Sequence, residues 1–222
     1  GVDGLLLPID DAEIWANAQV IAAERMATDS NADETSLIDE PMVKSVEVVA
    51  IEDGGIGDRA CVDLTSNLEI GEGILVGSSA SALVLVHGET LDNEFVPPRP
   101  FRVNAGAVHA YVLMADGTTK YLSELQAGDS VAVCTRDGVI GNAIVGRVKI
   151  ESRPFLIIRF TDSESDISGQ TFLQQAETVR LVSPNGDMPS VTSIQAGDCV
   201  FAHIGSSARH IGKDILSTAE EH

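Results

Sequence analysis

Val43-Lys44-Ser45-Val46-Glu47-Val48-Val49-Ala50 is where the apolar residues begin to recur by twos. Val46, Val48 and Ala50 fall on one side of an extended chain, the signature of a half-buried strand. The same alternation returns in Leu83-Leu85, in Val108-Ala110-Val112 and in Ile144-Val145-Val148-Ile150. Turns containing glycine punctuate these runs at Asp53-Gly54-Gly55, Asp116-Gly117, Asp137-Gly138 and Asn185-Gly186. Together they predict a β-rich body of sandwich or small-barrel type from residue 43 onward.

Upstream the pattern differs. Gly1 to Leu7 reads as a turn and a short buried strand from Val2 to Leu7, and the chain carries no initiator Met, so something upstream is expected to have been removed, to be left out of this sequence, or never to have been present. Asp10 or Asp11 suits a helix N-cap, Glu13 the first turn, and Ile14, Ala18, Ile21 and Ala22 share one face of a helix from Ala12 to Met26. Thr28 to Pro41 is polar and acidic, a linker. The expected class is therefore α+β. Residues 1–42 form an N-terminal α/β remnant plus linker, 43–113 a first β-rich part, and 114–222 β-rich modules. The last part contains a repeat: Leu125-Gln126-Ala127-Gly128-Asp129 returns as Ile194-Gln195-Ala196-Gly197-Asp198, which predicts two related β modules with Gly-Asp turns.

The chain has 222 residues with 34 acidic and 14 basic side chains, a net charge of −20. That balance argues against nucleic acid as partner and against a polybasic membrane face. The longest mostly apolar stretch, Ile74 to Val86, has 13 residues, short of the roughly 20 a helical span needs. A soluble or peripheral protein of the cytoplasm or a plastid stroma is expected. Residues 1–58 hold 14 acidic groups against two basic ones, Arg25 and Lys44, a stretch able to meet a basic protein partner. Cys61, Cys134 and Cys199 lie far apart in strand-like runs and are expected to be small core residues in a reducing compartment.

The densest polar constellation is Arg99-Pro100-Phe101-Arg102-Val103-Asn104-Ala105-Gly106-Ala107-Val108-His109-Ala110-Tyr111. On an extended segment Arg102, Asn104 and Gly106 share a face. A cationic pocket in an acidic chain suits a small anionic ligand, a carboxylate or phosphate, because the guanidinium offers a planar fork of donors. The competing reading pairs each arginine with a surface acid. His87 with Glu89, and His109, are candidate acid/base groups. Arg209-His210, beside the Gly/Ser-rich 205–208, could hold an anion. Gly71-Glu72-Gly73-Ile74-Leu75-Val76-Gly77 departs from dinucleotide-loop spacing and precedes a strand, so it reads as a structural turn. No histidine spacing supports a metal site.

These motifs resemble, in order along nearly the whole chain, those of the 3-dehydroquinate synthase II family, the archaeal-type enzyme with cyanobacterial and plastid homologues. The resembling pieces include Gly57-Asp58-Arg59-Ala60-Cys61-Val62-Asp63, Leu85-Val86-His87-Gly88-Glu89, Arg99 through Tyr111, Val145-Gly146-Arg147-Val148-Lys149-Ile150-Glu151 and Leu173 through Leu181. The resemblance implies NAD⁺-dependent oxidative deamination of an amino-dideoxy-heptulosonate, with cyclisation to 3-dehydroquinate. It implies His109, Lys120 and Glu177 as catalytic candidates. Arg99, Arg102, Asn104, Arg180, Arg209 and His210 become candidates for binding the substrate, with no metal required. The chain departs from the family at Ala80-Ser81-Ala82, where an Arg-Gly pair is usual, and at Gln175, where Asn is usual. A second expectation follows from those departures: a degenerate homologue acting as a scaffold or accessory subunit, conceivably of a plastid photosystem.

Overall fold

The structure is a computed structural model, and it describes residues 43–92, 96–165 and 167–205, with the backbone of 209–210 and 213–214. The expected strand from Val2 to Leu7, the helix from Ala12 to Met26 and the acidic linker lie outside the described residues. The strands are β1 (Val43–Leu64), β2 (Gly73–Ser79), β3 (Ala82–His87), β4 (Arg102–Ala107), β5 (Tyr111–Leu113), β6 (Thr119–Tyr121), β7 (Ser130–Thr135), β8 (Gly138–Asp162), β9 (Ile167–Gln174) and β10 (Cys199–Ile204). β11 (Arg209–His210) and β12 (Lys213–Asp214) pair separately.

The α+β expectation is corrected: the described residues are nearly all β and form one large antiparallel sheet. Their only helical element is a 3₁₀ turn, Leu122–Glu124. From Val43 onward the apolar runs are short, alternate, or end at glycine turns. No stretch there offers a helix of marginal length the apolar stripe it must bury.

β1 and β8 pair antiparallel from Glu47–Thr161 to Leu64–Val145. The hydrogen-bonded order β3-β10-β1-β8-β7-β2 returns to β3, so six strands close into a ring without free edges. β4 adds to β1, β9 to β8, and the β5–β6 hairpin to β2. The run from Ile74 to Val86 becomes the β2–β3 hairpin. Ile74, Val76, Val84 and Val86 enter the larger core, while Leu75, Leu83 and Leu85 enter a second one with Leu113 and Val182. Covered on both faces, these strands carry apolar side chains at successive positions. Cys61 and Cys134 are buried, but Cys199 is exposed, contrary to expectation.

The repeat forms two matching turns. The Gly128 N–H donates to the Val145 carbonyl at 2.8 Å, and the Gly197 N–H to the Val48 carbonyl at 2.8 Å. Val145 and Val48 in turn donate to the carbonyls of Asp129 and Asp198, both at 2.8 Å. Asp129 and Asp198 each accept from a backbone N–H three residues upstream at 2.8 Å. β7 and β10 stand 69 residues apart, as the turns do, and the strands they hold stand 97 apart, Val48 against Val145. Two of the three bulges in the β1–β8 ladder fall at Val49 and Gly146, related by the same 97; the third, at Gly54, has no counterpart. One hairpin-and-strand unit thus occurs twice, each copy bulged next to the residue its turn grips.

Gly128 and Gly197 sit at φ +98° and +96°, where a Cβ is strained. Gly128→Ala and Gly197→Ala are each expected to cost about 1–2 kcal/mol. The two effects should agree within about 0.5 kcal/mol and add in the double variant, as read by denaturant unfolding.

Candidate functional site

β4, β1 and β8 lie side by side, and their register assembles a polar patch. Asp63 stands between Arg102 and Arg147, and Cys61 between Asn104 and Lys149. Arg59 pairs across β1–β8 with Glu151. The period of two brings Arg59, Cys61 and Asp63 to one face while Ala60 and Val62 enter the core. A shift in the β1–β4 register between Ala60 and Cys61 keeps Arg102 and Asn104 on that face. Gly106, at φ +114°, lets β4 approach β9: a Cβ there would stand 2.4 Å from the Phe172 carbonyl oxygen. That approach sets Asn104 beside Gln174, whose Oε1 accepts from Asn104 Nδ2 at 2.9 Å.

Over the patch lies a cleft of about 440 Å³. Its cations are Arg59, Arg99, Arg102, Lys149 and Arg153, and its acids are Glu89, Glu151 and Glu177. Asp63 does not line the cleft but anchors one of its cations. Arg102 grips it at two points, 2.6 and 2.9 Å, and Arg147 Nε donates to it at 2.9 Å. Burial alone would raise the Asp63 carboxyl, yet these hydrogen bonds hold it below the usual range. Glu151 is shared by three cations: Arg59 at 2.7 Å, Lys149 at 3.0 Å and Arg153 at 3.2 Å. Its hydrogen bond from Lys149 lowers its pKa, helped by the other cations. Glu89 is buried with Arg99 Nε 2.7 Å away, an ion pair whose N–H does not point along the contact. Burial pushes the Glu89 carboxyl up, against the pull of Arg99, Arg102 and Arg59. Burial also raises the Cys61 thiol, although the Arg59 guanidinium touches it.

Of the residues singled out from sequence, the cleft gathers Arg99, Arg102, Asn104, Glu89 and Glu177. Arg180 lines a smaller hollow on the other side of Glu89 and donates to the Met188 carbonyl at 2.7 Å. His109 is exposed and packs edge-on against Phe172, outside the cleft lining. Lys120 pairs with Asp129 at 2.8 Å, also outside it. His87 is buried, its Nε2 accepting from the Gly71 N–H at 2.9 Å, and burial pushes its pKa down to about 4. It is a neutral acceptor tying down the loop before β2. Arg209 and His210 form β11, and their side chains lie outside the description. Arg99 and Arg102 are thus each paired with an acid and still line a shared hollow.

Sequence reading passed over Arg59, Cys61, Lys149, Glu151, Arg153 and Gln174 as site residues. The signal was present: Arg147, Lys149, Glu151 and Arg153 alternate along one strand, charged at every second position. Among the described residues no three His, Cys, Asp or Glu side chains gather as a metal would require. No helix there is long and apolar enough to cross a membrane.

Residues 45–222 match the family described as 3-dehydroquinate synthase II C-terminal domain. The chain is 50% identical over 173 residues to the 3-dehydroquinate synthase of Methanosphaera stadtmanae, covering 78% of this chain and 48% of that protein. It is 44% identical to that of Methanothrix thermoacetophila over 224 residues, covering 100% of this chain and 57% of the relative. The enzyme of that name from Methanocaldococcus jannaschii is 44% identical over 221 residues, covering 100% and 58%. The chain spans about half the length of these relatives. No solved structure matches it.

Asp63→Asn leaves two guanidiniums facing a neutral group and is expected to cost about 3 kcal/mol. Because the folded Asp63 pKa lies below the unfolded value of 3.8, its contribution is complete above that value and is lost as the pH falls through the folded pKa. Acid unfolding of wild type should therefore show a component below about pH 4 that is missing in Asp63→Asn.

Proposed function

The chain belongs to the 3-dehydroquinate synthase II family, and from that premise we propose that its β body holds the carboxylate end of an open-chain amino sugar acid on the way to 3-dehydroquinate in the shikimate pathway. The full reaction we assign is the oxidative deamination of an amino-dideoxy-heptulosonate, with loss of ammonia and ring closure. One observation carries the reading. Asp63 is shared by two guanidiniums and Glu151 by three cations, so both acids organise positive charge without cancelling it. In a chain of net charge −20 this cleft is a local site for an anion.

Arg102 and Arg59 are held by their acids and supply fixed charge. Arg99, Lys149 and Arg153 are more open and would meet the carboxylate directly. Glu89, its pKa raised by burial, is the proton-transferring group we assign, because a carboxyl moved toward neutrality can both take and return a proton. Glu177, exposed at the rim, is the second candidate.

The oxidation needs a hydride acceptor, for which we propose NAD⁺. The glycine run nearest to a dinucleotide loop does not fit one. The run from Gly71 to Gly77 leads into buried β2, where a Cβ on Gly73 would stand 2.0 Å from the Val86 carbonyl oxygen, leaving no room for a pyrophosphate. What the described residues supply is anion binding and proton transfer.

Full-length protein given the amino-dideoxy-heptulosonate and NAD⁺ is expected to release ammonia and form NADH and 3-dehydroquinate. Glu89→Gln should lower kcat by about 10²–10⁴-fold with little change in KM. Lys149→Ala combined with Arg153→Ala should instead raise KM. Absence of turnover by the folded full-length protein would overturn the reading and favour an accessory, non-catalytic role.

A further inference from the structure

Glu89 is strapped to two arginines of the cleft by its backbone. Its N–H donates to the Arg102 carbonyl at 2.8 Å, and its carbonyl accepts from the Arg99 N–H at 2.7 Å. The charged and titratable groups around its side chain are Arg59 and Cys61 on β1, Arg99 and Arg102, Glu177 in the same lining, and Arg180 in the smaller hollow behind. His87, two residues before it, is the neutral acceptor bonded to Gly71. Three guanidiniums, those of Arg99, Arg102 and Arg59, favour the ionised form of Glu89, yet burial holds its carboxyl toward the neutral one. That balance survives only if the guanidiniums do not act at full strength. Arg59 gives one terminal nitrogen to Glu151 at 2.7 Å. Arg102 gives Nε and Nη2 to Asp63 at 2.6 and 2.9 Å. Asp63 is itself buried and held by Arg147 from its other side.

We infer that Asp63 is a positioning residue for Glu89: it clamps the Arg102 guanidinium and cancels the charge that would otherwise keep the Glu89 carboxyl ionised. A guanidinium with a carboxylate across its fork acts at a distance as a dipole, whereas a bare one acts as a full charge, and the difference is large where water is scarce. Asp63 does not line the cleft, so it touches no ligand and works through Arg102. Arg102 then keeps a fixed direction toward the cleft without dominating the proton on its neighbour. The inference rests on the reading of Glu89 as the proton-transferring group and adds the device that leaves it able to take up a proton.

The test follows the Glu89 carboxyl in folded full-length protein by infrared difference spectroscopy, its band identified by its loss in Glu89→Gln, alongside the pH dependence of kcat. Asp63→Asn should lower the pH at which Glu89 is half protonated by about one pH unit, a tenfold loss of proton affinity. Arg102→Gln should raise that pH by a similar amount. Because the two charges oppose each other, the variant carrying both changes should return to within about 0.3 pH unit of wild type. A residue that served packing alone would not move the two single variants in opposite directions. If Asp63→Asn does not fold, Arg102→Gln and the double variant carry the same test, since the second change must reverse the first. The limb of the kcat profile that belongs to Glu89 should move with its band. A band unmoved by Asp63→Asn, or moved the same way by both single changes, would overturn the role of Asp63 and leave the proton-transfer reading to the Glu89→Gln result. A band that moves as expected while the kcat profile stays put would uphold the hold of Asp63 on Glu89 and overturn the proton-transfer reading.

Discussion

The ladder between β1 and β8 is the constraint on which the rest of the molecule depends. Two strands of 22 and 25 residues cannot stay paired and flat over such a length, because each strand twists. The bulges at Val49 and Gly146 sit near opposite ends of the ladder, beside residues whose N–H and C=O are both held by a Gly-Asp turn. The turns decide where the twist is taken up. β7 and β10 then follow onto the flanks, and the ring closes through the β2–β3 hairpin.

Duplication built the frame, but the two copies were used differently. The 97-residue relation that joins Val48 to Val145 sets Arg59, Cys61 and Asp63 against Leu156, Ile158 and Phe160. In one half of the ladder this row is polar, with Arg59 and Cys61 lining the cleft and Asp63 bonded to Arg102. In the other half Ile158 and Phe160 are fully buried in the larger core. The same backbone position serves binding in one copy and packing in the other. That asymmetry puts the cationic hollow in one half of a two-fold frame.

Inside that hollow the ion pairs act as scaffolding. A buried pair contributes little net stability, since desolvation offsets attraction. Shared acids change that arithmetic: Asp63 between two arginines and Glu151 among three cations order the positive side chains and leave charge over for a ligand. Glu89 has the opposite environment. It is buried beside a poorly aligned arginine, and its carboxyl is shifted toward the neutral form.

The sequence by itself determined the β-rich body from Val43 onward, the paired Gly-Asp turns and the segment that carries Arg99, Arg102 and Asn104. Each of these is written in local chemistry: a period of two, glycines at positive φ, and alternation along one strand. It did not determine the class, because a helical pattern at residues 12–26 stands beside a much longer run of strands. Nor did it separate His109 and Lys120 from the cleft or bring Arg59, Lys149 and Glu151 into it. Which strand lies beside which, and in what register, is decided by pairing between residues as far apart as Val43 and His203. Only that register sets Cys61 between Asn104 and Lys149. A residue's own neighbours fix the face it occupies, whereas the strands packed beside it fix whether that face meets water, core or a ligand.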